Sequence, residues 1–383
     1  MKPVKFILFA SSLITIIALI TLSTGYSQPE KSSRPPSVSS AQLADFEAKL
    51  DALRNTYKIP GLSVAIVQGD SIVYQRGLGY ANIESGLAAT PMTTYRIASL
   101  TKPVASTILL KLQQEGQLSI QDSIKEFIPG YEAYYREVRD YVLANQPEYA
   151  AMIQDFDFER DDLTVWHHLT HTAENEPGDA FKYNGFLFGA LSRVMELKLG
   201  KPFHEIVEEQ ILEPCGMQHS ASSQAQADPK TLQLLAQPYE YLVDEDRFIP
   251  SEYPDPDVNA ASGIVSNIID LAKFDKAINN YLLVGPETRE VAWTNQVNNA
   301  GESIPYGLGW YVQQRDGERV VWHYGWHPEA FSGLYLKFPE AGLTLILLAN
   351  GENLSAPFIE SGYDRDVFSS PFAELFYETF LGD

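Results

Sequence analysis

An almost continuous apolar run near the end of the chain, Leu343–Ala349, limits the fold most strongly. The run has the length of a strand and no polar face, so it predicts a central strand that is covered on both sides. Three segments before it also have strand patterns: Tyr306–Gln313, Arg319–Tyr324 and Phe331–Phe338. A helix is predicted to close the chain at Ala373–Leu381, so the last third contains most of one sheet.

The beginning of the chain has the same kinds of element. The apolar spacing of Ala41–Tyr57 predicts a helix, and Leu62–Val67 and Ile72–Gly79 predict two strands joined by a turn at Gly69 and Asp70. The middle, from about 116 to 263, is mainly helical in pattern. We therefore expect an α/β (α+β) fold, in which one sheet layer contains an inserted all-α subdomain.

An aromatic and acidic stretch, Tyr131–Asp162, lies inside this helical region. Tyrosines alternate there with many charges, which is typical of a solvated helical hairpin. The sharper alternative is a lid that covers a site.

The net charge of −22 excludes one class of partner. The chain has 50 acidic and 28 basic residues, whereas neutralising phosphates needs clustered lysine and arginine. Nucleic acid is not expected as a partner, and an anionic membrane surface is disfavoured for the same reason. With 383 residues, 45% hydrophobic and 20% charged, the chain has an ordinary globular composition and can bury a large core.

The first 27 residues have the pattern of an export signal. Lys2 and Lys5 precede a mostly apolar run, Phe6–Leu22, and small residues suited to cleavage follow it. We expect an exported protein, periplasmic or extracellular, with 28–40 as a flexible linker and 41–383 as the functional domain. The alternative is an anchor through residues 6–22, which would put the protein at a membrane.

The single cysteine, Cys215, excludes an intramolecular disulfide. It lies between a proline and a glycine with no evident base nearby in the sequence. A buried structural thiol is therefore favoured over a reactive one.

Ser99 and Lys102 are three residues apart at the predicted start of an apolar helix. Residues at this spacing share a helix face, and a buried, neutral lysine can accept the proton of a serine hydroxyl. Pro103 lacks an N–H, so the regular helix should begin at or just after Ser99. Because a Ser-x-x-Lys also occurs by chance in a chain this long, the pair alone is weak support for catalysis.

Further segments of interest follow this pair along the chain: Leu163–Thr172, Pro177–Gly185, Leu199–Phe203, Ala261–Ser266, Tyr306–Trp310 and His323–Trp326. Together they resemble the serine β-lactamase and penicillin-binding-protein superfamily. The similar branch holds class C β-lactamases, D-alanyl-D-alanine carboxypeptidases, D-aminopeptidases and related esterases. The resemblance runs from about residue 43 to the C-terminus and implies a mainly antiparallel sheet flanked by helices.

The resemblance also implies catalytic roles. Ser99 matches the nucleophile that becomes acylated, and Lys102 matches the group that accepts or relays its proton. Tyr183 matches the tyrosine of the family's Tyr-x-Asn motif, which acts as base and acid. A phenol needs a lowered pKa for this work, which a nearby Lys102 ammonium would supply.

The resemblance places one strand along the site. His323, Tyr324 and Gly325 match the family's Lys/His-x-Gly strand motif and are expected to bind substrate. The N–H groups of Ser99 and Trp326 are expected to form the oxyanion hole. Without the other motifs, Tyr183 and His323 would be interpreted as ordinary core residues.

Two departures from the family pattern bear on the substrate. The family's motif asparagine would stand at position 185, where this chain has Gly185, and Asn184 lies one place early. Asn184 is expected either to bind substrate through a local shift or to leave the amide donor missing. His323 stands where true β-lactamases usually carry lysine, and a neutral imidazole binds a carboxylate less well than a permanent cation. Both changes favour ester or small peptide substrates over β-lactams.

The sequence therefore predicts an exported serine hydrolase that forms an acyl-enzyme on a small ester, amide or D-amino acid peptide. A β-lactamase or D-Ala-D-Ala carboxypeptidase is the alternative, with a small-molecule or peptidoglycan-like substrate in either case. A non-catalytic binding or sensor protein on the same fold is the alternative of another class. His167, His168 and His171 have metal-like spacings, but the resemblance makes their segment structural, and no metal or cofactor is expected.

Overall fold

A seven-stranded antiparallel sheet, counted over the described residues, positions the rest of the fold. The computed structural model describes residues 38–145, 150, 152–154, 156–360 and 366–382. The strands are β1 (Gly61–Gln68), β2 (Ser71–Asn82), β3 (Leu87–Ala88), β4 (Tyr95–Arg96), β5 (Tyr239–Leu242), β6 (Arg247–Pro250), β7 (Val265–Ser266), β8 (Tyr311–Arg315), β9 (Glu318–His327), β10 (Phe331–Phe338) and β11 (Leu343–Ala349). The large sheet has the order β3-β2-β1-β11-β10-β9-β8, so the predicted central strand is in its middle.

Helices cover both faces of this sheet. They are α1 (Ser40–Thr56), α2 (Thr101–Gln114), α3 (Ile124–Phe127), α4 (Tyr131–Asn145), α5 (Val165–Leu169), α6 (Gly185–Gly189), α7 (Leu191–Leu199), α8 (Phe203–Val207), α9 (Glu213–Cys215), α10 (Pro229–Gln233), α11 (Ile268–Asn279), α12 (Pro286–Ala292), α13 (Ala356–Glu360) and α14 (Pro371–Phe380). A π-helical turn at Glu208–Leu212 joins α8 to α9. No helix formed by the described residues has the length and apolarity needed to cross a membrane.

The alternation of side chains along β11 divides the core into two layers. Leu345 and Leu347 pack with α1 and α14, whereas Ile346 and Leu348 face the layer that contains α2 and α11. Both sets are buried because successive strand residues point to opposite faces. This explains why the strand is apolar throughout, and it confirms the predicted α/β class and the antiparallel sheet flanked by helices.

The region between 116 and 263 is mainly helical, as predicted, and contains α3 to α10. It also contains a small two-stranded sheet, in which β5 pairs with β6, that the sequence analysis did not predict. Both strands are four residues long and mostly half-buried or exposed, so they lack a long alternating pattern. The described residues from 35 onward belong to one compact unit, Pro35–Asp383.

Two further sequence predictions are corrected by the structure. The strand expected at Tyr306–Gln313 begins only at Tyr311, because the backbone turns at Gly309, whose φ is +85°. The expected hairpin at Tyr131–Asp162 has one regular helix in its described part, α4, and Tyr131 and Tyr135 on its inner face are buried. The predicted export segment, 1–27, and residues 28–37 of the predicted linker lie outside the described residues.

Candidate functional site

A tight turn between β4 and α2 presents Ser99 to the surface. The turn is a 3-10 turn, Ala98–Leu100, and α2 follows at once from Thr101, which confirms the predicted helix start. From Thr93 to Leu110 every residue is buried except Ser99, which is partly exposed. Ala98 has a φ of +49°, a left-handed conformation that is unfavourable for alanine. Strain of this kind beside an accessible hydroxyl is typical of a functional turn.

Lys102 contacts the Ser99 hydroxyl. Its Nζ lies 3.0 Å from Ser99 Oγ and donates to the Ala261 carbonyl at 3.1 Å. The Lys102 side chain is almost fully buried, and burial lowers its pKa to about 7. A large fraction of Lys102 is therefore neutral near pH 7 and able to accept the serine proton.

Strand β9 packs closely against the turn that contains Ser99. A Cβ added at Gly325 would lie 2.4 Å from the Ile97 carbonyl oxygen and 3.3 Å from Ala98 Cβ. Only glycine allows this approach of strand and turn. Strand β9 at Gly325 therefore lies directly against Ile97 and Ala98, the residues that precede Ser99.

Tyr183 lies beside Lys102 and packs among other aromatic side chains. Lys102 Nζ is 5.0 Å from the centroid of the Tyr183 ring and 5.5 Å from that of Phe188. The Tyr183 ring stacks on Tyr311 and Tyr324, with centroids 6.1 and 5.9 Å away. The structure thus brings Ser99, Lys102 and Tyr183 into one neighbourhood.

The Asn184 side chain serves the scaffold. Asn184 is fully buried, caps α6 by accepting from the Leu187 N–H at 3.1 Å, and donates to Glu174 Oε1 at 2.7 Å and to the Met152 carbonyl. The structure gives Asn184 a capping and bracing role instead of the predicted place in substrate binding. The cap on Leu187 is local, but the bonds to Glu174 and Met152 join Asn184 to other segments, and the motif spacing alone did not show them.

Gly185 occupies the position beside Lys102. A Cβ added at Gly185 would meet only Lys102 Nζ within 4 Å, at 3.9 Å. The space that a side chain at this position would fill is therefore open, next to Lys102.

His323 lies inside the protein, not on its surface. The ring is fully buried, its Nδ1–H donates to the Tyr324 carbonyl at 2.7 Å, and Nε2 accepts from the Tyr306 hydroxyl at 2.9 Å. Burial, with a smaller contribution from Lys102, lowers the pKa of His323 to about 3, so the ring is neutral. The predicted contact of His323 with substrate is corrected, because both ring nitrogens already have partners within the protein. The ring instead packs among the side chains of Tyr183, Tyr306 and Tyr311.

Of the next residues of β9, Tyr324 lies in the core and Trp326 is partly exposed. Tyr324 is also buried, and its ring stacks on Phe358 with centroids 5.1 Å apart. Its predicted contact with substrate is corrected in the same way, since it packs in the core. Trp326 is partly exposed, and its indole N–H donates to Glu352 at 3.0 Å.

Two residues beside Tyr183 were not singled out as site residues by the sequence analysis. The His171 ring packs on the Tyr183 ring, with centroids 4.4 Å apart. The Glu174 carboxylate accepts hydrogen bonds from the Asn184 side-chain amide and from Lys182 Nζ. For His171 the available signal was its place in the segment Leu163–Thr172, whereas Glu174 lies between two of the segments and gave no such signal. Within the part of the chain that the structure describes, no group of three His, Cys, Asp or Glu side chains could hold a metal ion.

Comparisons with known proteins support the family resemblance that the sequence showed. The profile of the family described as Beta-lactamase matches residues 46–366. Penicillin-binding protein 4* of Bacillus subtilis is 24% identical over 76% of this chain and 68% of its own length. Protein flp of Staphylococcus aureus is 22% identical over 76% of this chain and 60% of its own length, so the match spans about three-fifths of that relative.

Solved structures share the fold at low sequence identity. The octameric penicillin-binding protein homologue from Pyrococcus abyssi is 24% identical, with a TM-score of 0.67 over 88% of this chain and 80% of that one. The penicillin-binding protein from Bacillus halodurans is 19% identical, with a TM-score of 0.63 over 82% and 98%. EstCE1, a hydrolase with promiscuous acyltransferase activity, is 14% identical, with a TM-score of 0.65 over 85% and 99%.

Proposed function

Because the chain belongs to the beta-lactamase family, we propose that it is a serine hydrolase that forms an acyl-enzyme on Ser99. The contact between the partly exposed Ser99 hydroxyl and the buried amine of Lys102, 3.0 Å away, is the observation that supports this most directly. The alternative is a binding or sensor protein on the same fold, which would bind its ligand without turning it over. The lowered pKa of Lys102 favours the enzyme, because an amine that is neutral near pH 7 suits proton transfer.

The acylation step follows from this contact. Ser99 Oγ attacks the substrate carbonyl carbon, and its proton passes to Lys102 Nζ. The tetrahedral oxyanion accepts hydrogen bonds from the N–H groups of Ser99 and Trp326, an arrangement supported by the close packing of Gly325 on the Ser99 turn. The leaving alcohol or amine takes a proton from Lys102 or Tyr183 as its bond to the carbonyl carbon breaks.

Deacylation reverses the same proton path. Water attacks the acyl carbon and gives a proton to Tyr183 or Lys102. The Ser99–acyl bond then breaks, and Ser99 Oγ regains a proton as the free acid leaves. The Tyr183 ring lies beside Lys102, with its centroid 5.0 Å from Lys102 Nζ, and this proximity supports a part for Tyr183 in the proposed path.

A small ester, amide or D-amino acid peptide is the proposed substrate, and esters lead. Position 185 has no side chain to grip a substrate amide, and the Asn184 carboxamide is bound to Glu174 and Met152. His323 is neutral and buried, so it offers no cation to a substrate carboxylate. Both features weaken the grip on a β-lactam more than the grip on a simple ester.

The first experiment compares the wild type with Ser99→Ala on p-nitrophenyl esters, D-amino acid amides and nitrocefin. We expect Ser99→Ala to lose about 1,000-fold or more of the ester activity, as nucleophile removal does in other serine hydrolases. Ser303→Ala, at an exposed serine, is the control and should keep its rate. A fluorophosphonate probe followed by mass spectrometry should label Ser99 in the wild type.

Opposite results would separate the alternatives. Wild-type rates in Ser99→Ala would end the serine hydrolase proposal. A folded wild type with no turnover and no label at Ser99 would support the binding protein. Nitrocefin hydrolysis faster than ester hydrolysis would favour a β-lactamase.

A further inference from the structure

His171 is hydrogen-bonded to the residues on both sides of Tyr183. Its carbonyl accepts from the Lys182 N–H at 2.8 Å, and its Nδ1 accepts from the Asn184 N–H at 3.0 Å. Its ring lies against the Tyr183 ring, with centroids 4.4 Å apart. One residue thus fixes the backbone before and after the tyrosine and also contacts its side chain.

The His171 ring is itself held in place. Phe188 stacks on it at 5.2 Å between centroids, and Tyr306 meets it edge-on at 5.0 Å. The backbone of His171 has a φ of +57°, a left-handed conformation that is uncommon outside glycine and asparagine. A residue in this conformation persists only where its surroundings determine it strongly.

The hydrogen bond to Asn184 fixes the protonation of the ring. Nδ1 accepts, so the proton of the neutral imidazole is on Nε2. His171 is almost fully buried, and its Nε2 has no hydrogen-bond partner among the described residues. Burial, with smaller contributions from Lys102 and His323, lowers the pKa of His171 well below its ordinary value. Nδ1 therefore stays an acceptor wherever the protein is folded and active.

We infer that His171 is a positioning residue for Tyr183, because its carbonyl and its Nδ1 anchor the backbone on both sides of Tyr183, whose ring lies beside Lys102. This inference rests on the proposed function. His171 does not touch the substrate in this scheme. It acts by keeping the Tyr183 hydroxyl where it can exchange protons with the reacting groups.

Two variants test the role of the Nδ1 acceptor. His171→Asn and His171→Gly both suit a left-handed backbone, and both remove the ring. Only asparagine offers an oxygen near the place of Nδ1 to accept from the Asn184 N–H. We expect kcat on a p-nitrophenyl ester to stay within about fivefold of wild type in His171→Asn and to fall about 100-fold in His171→Gly, with KM nearly unchanged in both.

A double-mutant cycle links the effect to the tyrosine. In a Tyr183→Phe background, His171→Gly should lower kcat by no more than about threefold, because the group that it positions is already absent. Thermal unfolding of each variant shows whether a loss of kcat reflects a loss of folded protein.

The remaining outcomes all bear on the inference. Equal kcat in folded His171→Asn and His171→Gly would overturn it, and so would a full 100-fold loss in the Tyr183→Phe background. If only His171→Asn folds, a kcat near wild type supports the inference and a 100-fold loss overturns it. Failure of both variants to fold would make His171 a structural residue. Absence of label at Ser99 in the wild type would instead refute the proposed function.

Discussion

Lys102 is a buried lysine whose described hydrogen-bond partners are both uncharged. Its Nζ contacts the Ser99 hydroxyl and the Ala261 carbonyl, and burial is the cause of its lowered pKa. A carboxylate in this place would have stabilised the ammonium and kept the proton on nitrogen. The environment thus favours the base form of the lysine near neutral pH.

This environment predicts the pH dependence of the reaction. The pKa of Lys102 is lowered to about 7, so the amine is protonated and inactive as a base below that pH and neutral above it. We expect kcat/KM for an ester to rise about tenfold per pH unit below pH 7 and to level off above it. Initial rates from pH 5 to 9, with circular dichroism at each pH to confirm folding, measure this profile. A flat profile over that range would contradict Lys102 as the base.

The sequence revealed the contact between Ser99 and Lys102 better than the surroundings of Asn184 and His323. The three-residue spacing of Ser99 and Lys102, with Pro103 after them, was enough to predict the contact that the structure shows. Asn184 and His323 were predicted to bind substrate, but each is held by a residue outside its own motif segment, Glu174 and Tyr306 respectively. Burial of this kind depends on tertiary packing, which local spacing does not encode.

At the level of elements, the contact of β9 with the Ser99 turn depends on a missing side chain. Gly325 lies opposite Gly333 in the neighbouring strand β10, and its Cα faces the Ile97 carbonyl. Strand β9 and the turn that contains Ser99 thereby approach each other more closely than a side chain at position 325 would allow.

A methyl group at Gly325 should separate strand and turn. In Gly325→Ala the new Cβ would lie 2.4 Å from the Ile97 carbonyl oxygen, so the backbone must move. We expect about a 100-fold loss of kcat, since small displacements of catalytic groups have effects of this size, and a loss of about 1–3 kcal/mol in the free energy of unfolding. Ester kinetics and urea denaturation measure the two effects.

Gly77→Ala is the matched control. A Cβ at Gly77 would lie 2.1 Å from the Ala89 carbonyl oxygen, a similar overlap in β2, which is four strands away from β9 in the sheet. Its loss of kcat should be much smaller. Similar kinetics for both variants would contradict a special role for the contact between β9 and the Ser99 turn.

Long elements were predictable, and short ones were not. Helix α1 and strands β1, β10 and β11 follow their apolar patterns closely, because each buries a long regular face. The β5–β6 pair and the late start of β8 depend on short segments and on one left-handed glycine, Gly309. Hydrophobic periodicity has too few residues to act on in such segments.

Across the whole molecule, a buried ion pair joins α11 to the sheet. The Asp275 carboxylate of α11 accepts hydrogen bonds from Lys337 Nζ, from the Tyr335 hydroxyl at 2.7 Å and from the Thr344 hydroxyl at 3.2 Å. Lys337 and Asp275 are both almost completely buried. The carboxylate therefore neutralises a lysine that is out of reach of water.

Removal of Asp275 should destabilise the protein strongly. Asp275→Ala leaves Lys337 buried without its carboxylate, and we expect a loss of about 3–5 kcal/mol in the free energy of unfolding. The double variant Asp275→Leu with Lys337→Met should recover most of it, because no uncompensated charge remains. Chemical denaturation of both variants measures the difference. A loss below about 1 kcal/mol in Asp275→Ala, a value typical of exposed pairs, would contradict this prediction.

The middle position of β11 also sets the order in which the protein can assemble. Strand β1 pairs with β11, as in the contact of Leu62 with Ala349, although most of the chain separates them. Until residues 343–349 leave the ribosome, the β3-β2-β1 ribbon and the β10-β9-β8 ribbon have no strand to join them. The Ser99 turn packs against β9 and β10 of the second ribbon, so the sheet that supports this turn is complete only once residues 343–349 have been synthesised.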